Sequence, residues 1–240
     1  MKKIILLAAF AVTTSIASAQ VSFGIQLGAN IAMGKLSYDD AISVPAALTN
    51  DPKVGIIGGF LAEIPLGSNL AFRPELNFIQ KGSKSNAFTT SQLKRTLNYI
   101  ELPLNVVYKL DAGSGNFFFG LGPTLAFGIS GKDKYSDTND PNDPTLNYTS
   151  TVKFDGKKDD NTAAYSDKDH LKAFDFGANI LAGYQLGMGV FFKLGYTYNF
   201  MELDPNHSDP NYSKSSYKNR GFNVCVGYMI GGSKSSKKKD

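Results

Sequence analysis

Eight stretches of this 240-residue chain alternate apolar and polar side chains with a period of two, and this pattern constrains the fold most strongly. The clearest stretch places Ile100, Leu102 and Leu104 on one face, with Glu101 and Asn105 on the other. Such a period is typical of a β-strand with one face in apolar surroundings. The eight stretches cover residues 22–33, 53–64, 70–81, 100–110, 116–129, 174–185, 190–199 and 222–230.

The composition of the two faces favours a membrane barrel over a soluble one. The apolar face is rich in Phe and Tyr, whereas the other face is mostly small or polar, with few charges. Strands that cross a bilayer turn apolar side chains to lipid and polar ones to the interior. Because only helices and closed barrels satisfy every backbone group in lipid, we predict an all-β fold, an eight-stranded antiparallel up-and-down transmembrane β-barrel. Eight strands leave an interior that side chains fill, so we expect no open pore.

The connections between the stretches alternate in length, as expected for an outer-membrane barrel with both termini in the periplasm. Short periplasmic turns are predicted at residues 65–69, 111–115 and 187–189. Long external loops are predicted at residues 35–52, 82–93, 131–169 and 202–219. The sequence therefore predicts a monomeric barrel in the cell outer membrane.

The two ends of the chain are predicted to lie outside the barrel domain. Residues 1–19 have two lysines, a short apolar core and an Ala-Ser-Ala cleavage sequence, which is typical of a secretory signal peptide. Residues 233–240 form a basic tail, which leaves residues 20–232 for the barrel. Of the formal net charge of +4, the leader contributes two and the tail three, so the barrel carries −1. A domain with a net charge so close to zero lacks the excess of basic residues that is typical of nucleic-acid-binding proteins, so we expect no nucleic acid as a partner.

Charged residues on the polar face are predicted to form a hydrogen-bonded ion network that fills the lumen. Buried charges need partners, and two cations balance four acids only with help from Lys109 or a raised pKa. A gated ion path is the alternative, but eight strands leave little free volume for it. The predicted network consists of Glu63, Arg73, Glu75, Glu101, Asp175 and Lys193.

Two further features concern the interior of the strands. Pro74, Pro103 and Pro123 lie inside predicted strands, where each removes a hydrogen-bond donor, so we predict a β-bulge at each. Cys225, the single cysteine, is expected to face inwards as a small packed side chain.

The 131–169 loop supplies candidates for metal binding. Asp133, Asp137, Asp140 and Asp143 recur near its start, and oxygen-rich loops can bind Ca²⁺. Their spacing lacks the glycine and the closing Glu of an EF-hand, and turn chemistry explains the same residues. We therefore predict no metal site.

The two histidines, His170 and His207, are the candidates for catalysis. His170 lies beside Asp169 and near Ser166 and Asp167 in the sequence, and a hydrolase needs a base within reach of a nucleophile. Proximity in a polar loop does not make a triad. We therefore predict no catalytic residue and no cofactor.

The stretch from Tyr99 through Glu101 to Pro103 resembles the Tyr-x-Glu-x-Pro strand of the Bacteroidetes outer-membrane β-barrel family, whose members are often called PorT-like. Arg73-Pro74-Glu75-Leu76 adds to the likeness, which extends over residues 21–231. The resemblance implies a small OmpA/OmpX-type barrel that the outer-membrane assembly machinery inserts into outer-membrane lipid. Some relatives are tied to protein secretion or gliding.

The predicted function is a structural or interaction role through external loops, with an extracellular or periplasmic protein as partner. The first alternative is a secretion-linked or ligand-binding barrel that acts through loops 131–169 and 202–219. The second is an outer-membrane hydrolase or acyltransferase, and the third is a soluble periplasmic barrel with a ligand cavity.

Overall fold

The long alternating segments form strands in the computed structural model, which describes residues 21–38, 49–86, 91–157, 168–205 and 215–230. Eight long strands, numbered here in chain order, make up the body of the molecule. They are β1 (Ser22–Ala32), β2 (Lys53–Pro65), β3 (Leu70–Asn86), β4 (Ser91–Ala112), β5 (Gly115–Asp137), β6 (Phe174–Leu186), β7 (Val190–Asn199) and β8 (Arg220–Ile230). Within the described ranges, no helix is both long and apolar enough to cross a membrane.

These eight strands close into a ring in which every neighbouring pair is antiparallel. Each strand pairs with the next along the chain. The ring closes where β8 pairs with β1, for example Val226 opposite Leu27. The predicted eight-stranded up-and-down barrel is therefore confirmed.

The barrel is inverted relative to a soluble protein, with apolar side chains outside and polar ones inside. Leu27 and Leu121 are each 66% exposed on the outer face. Arg73 and Glu101 are each 1% exposed in the interior. A belt of exposed Phe, Leu, Ile and Val thus surrounds a polar axis, which suits strands that face lipid.

Three strands are much longer than the alternation predicted. β3, β4 and β5 have 17, 22 and 23 residues, whereas a tilted strand needs about 9–11 to cross a bilayer. The prediction of a loop at residues 82–93 was wrong, because Gly82 to Asn86 pairs with Gln92 to Thr96. The predicted 131–169 loop also begins too early, since β5 continues to Asp137. We call the part of β3–β5 beyond the apolar belt the extension.

The prolines do not introduce bulges. On either side of Pro74 the β2–β3 register is unchanged, with Leu61 opposite Glu75 and Ile64 opposite Phe72. The β4–β5 register likewise does not shift at Pro103 or Pro123. Each proline is accommodated by missing ladder bonds rather than by an inserted residue.

One bulge lies elsewhere, at Ile129 in β5. Asn98 pairs with Ser130 and Tyr99 with Gly128, so Ile129 is the extra residue. Because side chains alternate with a period of two, one extra residue exchanges the two faces of β5 above this point. Asp133 consequently points into the barrel.

Short strands cap the long-loop end of the barrel. Thr149–Lys153 pairs with β5 and with Lys168–His170, while Ser215–Lys218 pairs with Lys35–Tyr38. A further strand, Thr49–Asp51, pairs with β3. Leu171 and Leu203 from the capping segments are buried over the lumen.

Candidate functional site

The six charged residues that alternation assigned to the lumen all lie buried inside the barrel. They are exposed by 7% or less: Glu63, Arg73, Glu75, Glu101, Asp175 and Lys193. The structure groups them into three ion clusters at different heights along the axis.

The first cluster lies near the short-turn end of the lumen and joins Glu63, Arg73 and Lys109. Arg73 Nε donates to Glu63 Oε2 over 3.0 Å, and Nη2 donates to the same oxygen. Lys109 Nζ donates to Glu63 Oε1. The Arg73 guanidinium also lies 4.4 Å from the centre of the Phe118 ring, where a cation–π contact is favourable.

The second cluster lies at mid-barrel and is built around Glu75. Lys193 Nζ donates to Glu75 Oε2 over 2.6 Å, and Gln26 Nε2 donates to it over 2.7 Å. Asn77 Nδ2 donates to the same carboxylate oxygen over 3.1 Å. The pair thus links strands on opposite sides of the barrel through buried, charge-assisted hydrogen bonds.

The third cluster lies towards the long-loop end and centres on Lys81. Its ammonium lies 2.6 Å from Glu101 Oε2 and 4.0 Å from Asp175 Oδ2. Asn219, which directly precedes β8, donates from Nδ2 to Asp175 Oδ2 over 2.9 Å. Its outermost member is Tyr99, whose hydroxyl accepts a 3.3 Å hydrogen bond from Asn219.

Two lysines outside the six predicted residues balance the charge of these three clusters. Lys109 is the cation that the sequence named as a possible helper, and Lys81 is the one that it left out. With both added, four cations face four carboxylates in the three clusters. Lys81 shares the polar face of β3 with Arg73 and Glu75, so the alternation indicated that Lys81 points into the lumen. It was missed because β3 was predicted to end at that residue.

A fourth ion cluster, which the sequence prediction missed, lies in the extension. Arg95 binds Asp133 through two 2.9 Å hydrogen bonds from Nε, and its Nη2 lies 3.3 Å from Asp169 Oδ2. Its guanidinium stands 5.1 Å from the centre of the Tyr217 ring. Asp133 and Asp169 were assigned to a loop, and Arg95 lay between a predicted loop and a predicted strand. The bulge at Ile129 that turns Asp133 inwards was not foreseen.

Apolar layers separate these clusters and leave little free space. Leu61, Val107, Phe118, Leu181, Phe191 and Met229 form one cluster on the short-turn side. A second cluster on the long-loop side includes Ile79, Leu97, Tyr99, Val152, Leu203 and Cys225. The void beside Glu75 and Lys193 measures about 10 Å³, room for about one water molecule.

A larger polar cavity of about 300 Å³ opens at the short-turn mouth. Glu63, Lys109 and Gln185 line it. Met229, a member of the first apolar cluster, also lines it.

The residues of the Tyr-x-Glu-x-Pro stretch all face the lumen. The Tyr99 side chain is fully buried and its ring lies 5.1 Å from Lys81 Nζ. Glu101 binds the same lysine, and Pro103 lines the central void. The stretch thus supplies the β4 wall of the third cluster.

The aspartates considered as Ca²⁺ ligands in the sequence make hydrogen bonds within the protein. Asp133 binds Arg95, while Asp137 Oδ1 accepts a 2.8 Å hydrogen bond from the Asn139 amide. Asp143 Oδ1 accepts from the Thr145 amide over 2.8 Å. Among the residues that the structure describes, no three His, Cys, Asp or Glu side chains are grouped as metal ligands.

His170 is paired with a residue that the sequence prediction did not consider. Its Nδ1 lies 2.6 Å from Asp155 Oδ1, whereas its sequence neighbour Asp169 binds Arg95. That hydrogen bond is the main cause of a lowered pKa for the Asp155 carboxyl, in an exposed loop outside the membrane. Ser166, Asp167 and His207, the other candidates for catalysis, lie outside the described residues.

Three solved outer-membrane proteins are similar in structure. OprG from Pseudomonas aeruginosa is 13% identical, with a TM-score of 0.46, over 88% of this chain and 97% of that one. Neisserial surface protein A is 16% identical, with a TM-score of 0.41, over 88% and 98%. Ail, the attachment invasion locus protein of Yersinia pestis, is 11% identical, with a TM-score of 0.36, over 88% and 99%.

A search of curated proteins finds no match. The family described as the outer membrane protein beta-barrel domain, however, matches residues 15–204, which is most of the chain. The match agrees with the inverted barrel and its lipid-facing belt. The protein therefore belongs to the outer membrane protein beta-barrel domain family and resides in the outer membrane.

Proposed function

We propose that this protein is a non-conducting barrel that anchors an extracellular extension and its loops for contact with a protein partner. The filled lumen is the observation that carries this proposal. Paired charges alternate with apolar layers along the axis, and the central void admits about one water molecule. A barrel packed in this way serves as a rigid support rather than as a pore.

Measurements of ion conductance test whether the lumen is closed. Purified protein in planar bilayers is expected to give no stepwise currents, because an ion would have to displace the Glu75–Lys193 pair. The double variant Glu75→Ala, Lys193→Ala removes that pair and provides the matched comparison. Discrete channels from the unmodified protein would refute the closed barrel.

The hairpin between β5 and Thr149–Lys153 is the proposed contact region for a partner. Its base is fixed by stacked Tyr135 and Tyr148 rings, whose centres are 4.5 Å apart, and its tip is exposed. Replacing residues 139–146 by a short Gly-Ser turn leaves this base intact. We expect the variant to lose proteins that cross-link to the barrel on intact cells while still showing heat-modifiable gel mobility.

The same replacement distinguishes a display role from a purely structural one. A matched control replaces the periplasmic turn at residues 66–69 with a Gly-Ser turn of equal length. If the cross-linked proteins are unchanged by the outer replacement, the proposed contact region is wrong. Loop 202–219 is then the next segment to replace.

The family group of the protein and its route of export are proposals that depend on the amino-acid sequence. The stretch that ends at Pro103 supports membership of the PorT-like group and insertion by the outer-membrane assembly machinery. We propose that the barrel is a monomer. We also propose that residues 1–19 are removed on export, which mass spectrometry of the mature N-terminus at Gln20 tests. We propose no catalytic activity, since Asp169 binds Arg95 and His170 binds Asp155.

A further inference from the structure

A ladder of lysines runs across the outer face of the extension. Lys84 on β3 lies directly opposite Lys94 on β4, and Lys94 lies directly opposite Lys134 on β5. Lys132 stands two residues before Lys134 on the same face, and both are exposed. Like charges directly opposite each other destabilise a sheet, so this arrangement calls for an external anion.

The outer face has little negative charge of its own. Lys153 extends the lysine set on the strand next to β5, and among described strand residues on this face Asp51 is the one carboxylate opposite the ladder. The carboxylates beyond the end of the strands, such as Asp143, accept hydrogen bonds within their own turns. The inner face differs, because Arg95 there is paired with Asp133.

The position of the ladder indicates which anion it meets. Ile100 and Ile129 are the last exposed apolar residues on β4 and β5 before the extension. Lys132 is three residues beyond Ile129 and Lys94 is six beyond Ile100, about 10 and 20 Å along the strands. With a strand tilt of roughly 40°, these lysines stand about 8 and 15 Å above the apolar belt.

We propose that this lysine face binds the phosphate groups of outer-leaflet glycolipid headgroups. The lipid-facing belt and the lysines occupy the same three strands, so one lipid can place its acyl chains against Ile100 and its phosphates against the lysines. A soluble polyanion would gain the charge contacts but not the apolar ones. The anionic headgroup therefore neutralises the lysine charges that Asp51, the one carboxylate opposite the ladder among the described strand residues of this face, does not balance.

The test uses the full-length protein in neutral detergent micelles. The variant K84Q/K94Q/K132Q/K134Q removes the ladder. The control K157Q/K172Q/K234Q/K237Q removes four lysines that do not belong to β3, β4 or β5. The probes are bisphosphorylated lipid A, the same lipid without phosphates, and the bisphosphorylated disaccharide without acyl chains.

Native mass spectrometry counts bound lipid and gives apparent affinities. We expect bisphosphorylated lipid A to bind the ladder variant roughly a hundredfold more weakly than the control. The dephosphorylated lipid and the free disaccharide should bind all proteins weakly. Equal affinity of variant and control for lipid A overturns the proposal, and so does disaccharide binding as tight as lipid binding.

A second measurement covers the case in which the ladder variant does not fold. Binding of lipid A to the unmodified protein should weaken as ionic strength rises, whereas binding of the dephosphorylated lipid should not. Salt-independent binding of both lipids would show that the acyl chains alone hold the lipid, and the proposal would be wrong.

Discussion

Glu75 shows how a carboxylate can be buried in the middle of a narrow barrel. It accepts hydrogen bonds from Lys193, Gln26 and Asn77, all within 3.1 Å. A buried charge without such partners is costly, and removal of one partner leaves that cost uncompensated. The same reasoning applies to Glu63 between Arg73 and Lys109.

We therefore expect Lys193→Met to lower the free energy of unfolding by about 3–5 kcal/mol, because Glu75 remains buried without its cation. Urea unfolding in detergent micelles, followed by gel mobility, measures the change. The double variant Glu75→Gln, Lys193→Met removes both charges and should be closer to the unmodified protein. Equal losses in the single and double variants would contradict this account.

The Asp155–His170 pair predicts a local response to acid. The lowered pKa of Asp155, caused first by the hydrogen bond with His170, means that the folded loop favours the carboxylate. Its contribution to loop stability is thus fully present above the ordinary carboxyl pKa of about 3.9. It is lost as pH falls through the lower value in the folded loop.

Hydrogen exchange of the amides of residues 153–157 measures this response. Protection factors should stay constant from about pH 6 to pH 4 and fall below that range. In Asp155→Asn the protection should be low at every pH. A wild-type loop whose protection does not fall in acid would contradict the assigned pair.

At the scale of the strand, close backbone approach restricts side-chain size. A Cβ on Gly122 of β5 would lie 2.0 Å from the Leu104 carbonyl oxygen of β4. The barrel wall is therefore tight where these two strands meet near Asn105. A glycine at the exposed turn, Gly67, has nothing within 4 Å of such a Cβ.

Gly122→Ala is expected to destabilise the barrel by about 1–3 kcal/mol, because β4 and β5 must separate to admit the methyl group. Gly67→Ala should change stability by less than about 0.5 kcal/mol. The temperature at which each variant loses its compact gel mobility measures both. If both variants lose their compact gel mobility at the same temperature, β4 and β5 can separate without destabilising the barrel, and this account is wrong.

The strands could be predicted from sequence only where lipid imposes a pattern. Between Ile100 and Leu110 one face meets hydrocarbon and the other meets the lumen, so the alternation is strong. Above Ile100 the outward residues become polar, as at Thr96 and Lys94, whereas Leu97 is apolar and points inwards. The apolar face thus changes sides, so the extension is absent from the lipid-facing pattern, although its backbone pairing is continuous.

The sequence predicted which side chains point into the lumen, but not which residues they contact there. Period two placed Glu101 and Asp175 inside, because inward positions follow directly from strand parity. The partner of Glu101 is Lys81 on β3, and that contact depends on the register between strands and on the length of β3. Neither quantity is encoded in the spacing of residues along one strand.

For the whole molecule, the apolar belt determines which surface meets hydrocarbon. Leu121 lies near the middle of the belt on β5 and points outwards. The guanidinium group of an arginine at that depth must either lie in the hydrocarbon layer or extend along the barrel to a membrane interface. The cost therefore depends on depth rather than on contacts within the protein.

Leu121→Arg should thus lower the free energy of unfolding in phospholipid vesicles by about 2–4 kcal/mol. Ile129→Arg, at the edge of the belt, should lower it by less than about 1 kcal/mol. Urea titration of refolded vesicles measures both variants. Two equal costs would show that the belt does not match the hydrocarbon layer.

The barrel wall has an uneven height, and this asymmetry has a consequence for how the cell surface is reached. β7 and β8 have 10 and 11 residues and end near the belt, whereas β4 and β5 have 22 and 23. Among the described residues, the wall on the side of β3–β5 therefore rises as a tall β-sheet above the belt. A macromolecule that approaches the cell surface from this side meets the edge of that sheet before it reaches the bilayer.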